Sequence, residues 1–533
     1  MMDLATFLEA HLRVVEPLSR DINLAYWNAT ISGDPNDFER YATLQLRVQK
    51  IYSNPDEFDL IRKWKDDPRI TGPLERRQVD LLYNDYLRNQ IDPALNEQIT
   101  KLSSKIENQF STHRATLDGR EVTSNDIHQI LKQSTDAELR KKAWQAGKVV
   151  GGIVESDLLR LVKLRNEAAE CLGYDNYYTM SLDLNEQNES AIVGLFDEID
   201  DLTNAPFEKQ KQEIDEKLAM RYGLKVADLR PWHYDDPFFQ EAPKVLQVDL
   251  DKYYHKTDIL ELVSMFFRGI GLDLDDVLAR SDLYEKPGKD QHAYCTDIDR
   301  KGDIRILANI KNDENWTATM LHELGHAAYD KHIDGRLPFL LRHQAHIFTT
   351  EAVAMMFGRL SKDGVWIRDA LGIPDENERM ITATITELLK MSQLIFARWA
   401  LVMMNFERAL YADPGQNLNE LWWALVDRYQ LLTPPDEPDF PYWAAKSHVV
   451  SAPVYYHNYL LGEILASQFT AHIREHVFSP TSPGRSFYGH PEIGDYLREM
   501  IFKPGARFRW DTMIEKATGE PLTPKHFVEQ FMR

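Results

Sequence analysis

"DIRILANIKNDENWTATMLHELGHAAYD" (residues 303–330) sets two periodicities back to back. From Asp303 to Lys311 the residues alternate. Ile304, Ile306, Ala308 and Ile310 point one way, and Arg305, Leu307 and Asn309 the other, which predicts a strand. "HAYCTDID" (292–299) and the turn "RKGD" (300–303) precede it, so the stretch predicts a small hairpin. A helix follows, with His322 and His326 four apart on one face, where both imidazoles reach a single ion. Glu323, turned about 100° from His322, is placed to hold a water beside that ion without ligating it. An extended edge directly before such a helix is a place where a peptide can add as a strand.

A catalytic zinc takes a third protein ligand, and two residues compete for that place. His332 lies at the distance that suits a chain turning back after a glycine at position 329. Tyr329 stands there, which keeps the helix running and carries His332 past the ion. Glu351 opens "EAVAMMFG", a helix-like apolar run 25 residues after His326, suited to an antiparallel helix returning to the site. Glu351 is the predicted ligand; His343 and His346 are expected to brace the connection.

Outward from this point the chain reads as helix after helix. Residues 3–30, 36–52, 74–117 and 154–172 space their apolar positions at three and four. "TDAE" (135–138) reads as a capping box that starts a helix running through Trp144, and another starts near Asn188 and runs towards Met220. Breaks fall at 66–73, 223–239, 432–441 and 479–484, none long enough to be a free linker, so one continuous, mainly α architecture is expected.

Composition narrows the classes. The formal charge of −22 argues against a nucleic-acid partner, and no stretch approaches the ~20 apolar residues that cross a bilayer. Cys171 and Cys295 are the only cysteines and are expected to be free thiols. The first residues lack the basic and apolar regions of a secretory signal, so the expectation is a soluble, cytoplasmic protein without membrane contact.

A second cluster lies at "WAAKSHVVSAPVYYHNYLLGE" (443–463). Lys446, His448, Tyr455, Tyr456 and Tyr459 supply the cation, donors and phenols that grip a carboxylate or stabilise an oxyanion; an aromatic core helix uses the same residues.

Together these motifs resemble the angiotensin-converting-enzyme family of zinc peptidyl-dipeptidases. "HAYCTDIDRKGDIRI" (292–306) is similar to that family's H-A-x-x-x-D…D-[IF]-R-I stretch, "KSH" (446–448) to its K-[FY]-H, and Tyr456 with Tyr459 to its tyrosine pair. "AYWNATI" (25–31), "LVKLRNEAAECLGYDNYY" (161–178) and "MIEKATGEPL" (513–522) also look like family segments. Thimet-type oligopeptidases share part of the pattern. The resemblance implies a large helical, two-lobed scaffold around a deep central cleft, with the small hairpin beside the zinc helix. It implies one catalytic unit over residues 1–533, with lid-like helices over roughly 1–120 and the active-site core over roughly 290–465.

It also implies roles. His322, His326 and Glu351 would bind one zinc per chain, and Glu323 would act as base and then acid. His448 and Tyr459 would stabilise the oxyanion, and His292 with the Ala293 backbone would align a short peptide substrate. Lys446 and Tyr456 would hold its C-terminal carboxylate, so that dipeptides are released from the C-terminus. One residue more than in the family separates His448 from the tyrosines, which leaves Tyr455 as an alternative to Tyr456. Gln240 is a candidate for the glutamine the family adds to the lysine. Asn458 replaces an arginine that helps bind chloride, and Met355 replaces an aspartate that orients a histidine. Two other readings stand beside this one: an endo-acting oligopeptidase and a catalytically silent peptide-binding protein.

Overall fold

The sequence folds as a mainly α protein in which the described residues form α-helices, short 3-10 and π turns and two small hairpins. The computed structural model describes residues 3–246, 248–478 and 486–532; the predicted break at 479–484 lies outside them. Among the described residues no helix is long and apolar enough to cross a membrane. Both cysteines are free thiols.

Two predicted helix boundaries are corrected. The stretch 74–117 is two helices, Pro73–Leu87 and Pro93–Thr112, followed by β1 (Ala115–Leu117), which pairs antiparallel with β2 (Arg120–Val122). Asp92 starts the second helix by accepting the Ala94 and Leu95 N–H groups, and Pro93 has no N–H to continue the first. Conversely, the helices expected near 135–144 and 154–172 are one, Ala137–Cys171, capped by Asp136. Its interior glycines look like breakers, but Gly151 serves packing. A Cβ there would lie 2.5 Å from the Pro441 carbonyl oxygen and 3.1 Å from the Ala445 nitrogen.

Contacts divide the chain into two units. The first comprises Met1–Gln90, Val248–Ile385 and Leu461–His526. One of its cores gathers Phe7, Ile61, Leu82 and Tyr86 with Phe339 and Leu340. Another, of Trp27, Ile298 and Leu307, fastens the predicted hairpin to the helix Leu4–Ser32. That hairpin is β3 (Tyr294–Asp297) against β4 (Ile304–Leu307), antiparallel, with Cys295 opposite Ile306. Leu307, expected on the outer face, is fully buried because this strand is covered on both sides. The far edge of β4 is taken by Asp282, whose N–H donates to the Ile306 carbonyl and whose carbonyl accepts from the Ala308 N–H. Among the described residues β3 has no second strand.

Directly after β4 come the two helices of the motif, Glu314–His332 and Ile347–Gly358. Asp313 caps the first by accepting the Trp316 N–H at 2.7 Å. The second begins four residues before Glu351, because the His346 ring accepts the Phe348 N–H and opens the helix there. The two helices meet at Gly325, where a Cβ would lie 2.8 Å from the Ala354 Cα. A larger residue there must push the helices apart, at a cost of about 1–3 kcal/mol.

The second unit comprises Ile91–Gln247, Thr386–Leu460 and Phe527–Arg533. Its long helices include Ala137–Cys171 and Glu189–Tyr222, the latter capped by Asn188 as the sequence predicts. The loop 445–456 lies against them. Arg165 donates to the Val449 and Val450 carbonyls at 2.9 Å, and the Val454 N–H donates to Glu407 at 2.9 Å. Val454 takes a left-handed backbone, φ 53°, a conformation a β-branched residue adopts only when its surroundings impose it.

Candidate active site

The helix periodicity puts His322 and His326 one turn apart, and Gly325 lets the second helix bring Glu351 to the same point. His322 Nε2 and His326 Nε2 are 3.3 Å apart; Glu351 Oε2 is 3.6 Å from the first and 3.9 Å from the second. Ligands held at zinc's usual bond lengths of about 2.0–2.1 Å in a tetrahedron stand about 3.3 Å from one another, so this donor set fits the ion. Among the described residues it is the one group of three such side chains that converges in this way. His332 takes no part: its Nδ1 faces the Ala328 carbonyl of the same helix, which runs on through Tyr329 as expected. His343 packs in the connection and His346 caps the following helix.

The electrostatics agree with a cation at this point. Burial lowers His322 to about 4 and holds His326 well below the usual histidine value, so both rings are neutral and offer lone pairs. His326 Nδ1 lies 2.7 Å from Thr350 Oγ1, and a proton on that nitrogen leaves Nε2 free to ligate. Burial, then the charge of Glu463, pushes Glu351 up to about 7; burial, then Glu351, pushes Glu323 up to about 8. Glu351 thus feels one acid and acts on another, and a divalent cation beside it opposes that repulsion. The Cys295 backbone N–H on β3 donates to the Glu323 carboxylate, which ties that residue to the hairpin.

Sequence reasoning missed two neighbours of this group, Thr350 and Glu463. Met355 supplies no acceptor for a histidine, and the carboxylate acting on His322 comes instead from Glu463, in the helix His457–His472. Glu463 pairs with Arg359, whose guanidinium also donates to Ser467 Oγ. Gly462 allows the approach: a Cβ there would lie 3.3 Å from the Glu351 Cβ and 3.1 Å from the Met355 sulfur. Nothing in the periodicity of that helix marks either residue. His292 is exposed, its N–H bonded to Asp290, and Ala293 lies just ahead of β3.

The second unit holds the other predicted residues. Lys446 is buried, and its ammonium donates to Gln240 Oε1 at 2.8 Å; the Tyr456 hydroxyl lies 3.4 Å from the same oxygen. Gln240, the candidate glutamine, therefore stands beside the lysine, held by Asp236 through its own N–H and side-chain amide. The Tyr456 hydroxyl also accepts the Trp399 indole N–H at 2.7 Å, and Tyr455 packs edge-on against Tyr459 with ring centroids 5.1 Å apart. Burial lowers Lys446 to about 8 and His448 to about 4, the second helped by the lysine's charge. His448 is thus a neutral donor 5.2 Å, ring to ring, from Tyr456. Asn458 and His457 are engaged with Gln187, at 2.8 Å each.

Comparison with known proteins adds the lineage. The chain is similar to the angiotensin-converting enzymes of Bos taurus, 23% identical over 430 residues, and of Rattus norvegicus, 23% over 479 residues. These stretches take in 74% and 81% of this chain but 32% and 35% of those proteins, so the chain spans about a third of the length of the curated relatives it matches. The family model for angiotensin-converting enzyme matches residues 2–210. The model for peptidase family M3 matches residues 130–533, well over half the chain and all the converging residues described above. The chain belongs to peptidase family M3.

Proposed function

We propose that the chain is a zinc-dependent peptidase that acts on short peptides and releases C-terminal dipeptides. The observation that carries this reading is the convergence of His322, His326 and Glu351 beside a buried Glu323. Those three side chains hold one zinc per chain, and when bound the ion supplies Lewis acidity towards water and the scissile carbonyl. Glu323 takes the proton from the attacking water as the C–O bond forms, then gives it to the leaving amine as the C–N bond breaks. His448 and Tyr459 donate hydrogen bonds to the developing oxyanion, each worth about 2.7–4 kcal/mol of barrier. His292 and Ala293, ahead of the β3 edge that carries no second strand among the described residues, align the peptide as an added strand. Lys446, Tyr456 and Gln240 receive the terminal carboxylate, a charge-assisted contact that selects the chain end.

The test separates binding from chemistry. Wild type should contain one zinc per chain, Glu351→Ala should lose most of it, and His332→Ala should keep it. Glu323→Gln should keep the zinc while kcat falls roughly 10²- to 10⁴-fold. Near-normal turnover by Glu323→Gln, or full zinc in Glu351→Ala, would contradict the assignment.

A further inference from the structure

A cavity of about 300 Å³ opens in the second unit. Phe110, Ile127 and Trp144 supply apolar wall, and Lys446, Gln240, His448, His113 and His128 also line it. It also contains a cation that the proposed mechanism does not use. Lys148, in the interior of the helix Ala137–Cys171, is 3% exposed. Its ammonium lies 3.0 Å from the centroid of the Phe238 ring and 5.2 Å from that of Trp144. Among the described residues no hydrogen-bond acceptor reaches it.

The two ammoniums share surroundings. Lys446 lies 5.3 Å from the centroid of the same Phe238 ring. The close approach at Gly151, three residues after Lys148, brings the backbone at Ala445 against the helix. Asp236 is the acid whose charge acts on both lysines, but its oxygens are engaged: Oδ1 accepts the Phe238 and Gln240 N–H groups, and Oδ2 accepts from the Gln240 amide. The acid common to both lysines is thus committed, and Glu241, whose charge also acts on Lys446, pairs with Lys132 at 2.9 Å. Aromatic faces offset only part of the cost of burying an ammonium, and burial holds Lys148 well below the usual lysine value. An anion entering the cavity supplies the missing partner.

We infer that Lys148 is a specificity-determining residue that selects substrates whose C-terminal residue is itself acidic. The inference rests on the proposed carboxylate anchor. The α-carboxylate of the peptide meets Lys446, Gln240 and Tyr456, and the side-chain carboxylate of the same residue reaches Lys148 across the cavity. The pair of ammoniums matches the pair of carboxylates.

The experiment compares kcat/KM for two free-acid peptides identical except for a C-terminal Glu or Gln. Wild type should favour Glu by about 10-fold or more, the range of one charge-assisted contact. Lys148→Met and Lys148→Gln, two ways of removing a buried charge while keeping most of its volume, should each bring the ratio close to one. Amidating the C-terminus of both peptides separates the two claims. A wild-type ratio near one, with strong slowing by amidation, overturns the role of Lys148 and leaves the Lys446 anchor standing. A preference for Glu that survives both substitutions also overturns it. No slowing by amidation overturns both.

Discussion

At the scale of single residues, the proposed metal site depends on one hydroxyl that no spacing rule identifies. Thr350 precedes the proposed ligand Glu351 by one position, and its Oγ1 lies 2.7 Å from His326 Nδ1. With the proton on Nδ1 donated to that oxygen, the ring is fixed in orientation and Nε2 is the free nitrogen. Thr350→Val keeps the shape and removes the acceptor. Zinc affinity measured against a competing chelator should fall roughly 10- to 100-fold with the helices intact by circular dichroism. Unchanged affinity would show that packing alone orients the ring. The convergence of His322 with His326 was legible because helix geometry turns a spacing of four into a shared face. Thr350, Glu463 and Lys148 were not, because each acts through a neighbour on another helix or loop.

At the scale of elements, local signals located the two motif helices, the hairpin and the Asn188 start, and failed where packing overrides propensity. The helix runs unbroken through Gly147, Gly151 and Gly152, with Ile127 packed at the first, the 441–445 backbone at the second and Phe440 at the third. Gln240 lies after an irregular stretch, 223–239, that has no period to read, so only the folded chain shows it beside Lys446. The loop 445–456 is held in part by Glu407, which is fully buried, and burial pushes its carboxyl up to about 7 despite the Val454 N–H and the Arg165 charge. A buried acid whose folded pKa lies above its unfolded value binds more protons when folded. Its burial therefore subtracts stability progressively as pH rises from about 4.5 to about 7, by about 1.4 kcal/mol per pKa unit. Glu407→Gln retains an oxygen for Val454 and removes the titrating charge. Its Tm should exceed that of wild type at pH 8 and approach or fall below it at pH 5. A variant less stable than wild type at pH 8 would show that the carboxylate charge, paired with Arg165, holds the loop.

At the scale of the whole molecule, periodicity fixed the mainly α class, and motifs spread from Ala25 to Leu522 pointed to the lineage that the family match over 130–533 then established. Charge read in bulk was less informative: −22 describes the surface and conceals a cavity with two buried ammoniums. The central claim is that the zinc-loaded protein cuts short peptides two residues from a free C-terminus. The direct measurement gives wild type and Lys446→Ala the same short peptide as free acid and as C-terminal amide, and identifies the products by mass. The account predicts that wild type releases a C-terminal dipeptide from the acid. Amidation should slow this about 10- to 150-fold, and should slow Lys446→Ala little, because the two changes remove the same contact. Equal cleavage of acid and amide by wild type at an internal bond would contradict it and identify an endo-acting oligopeptidase.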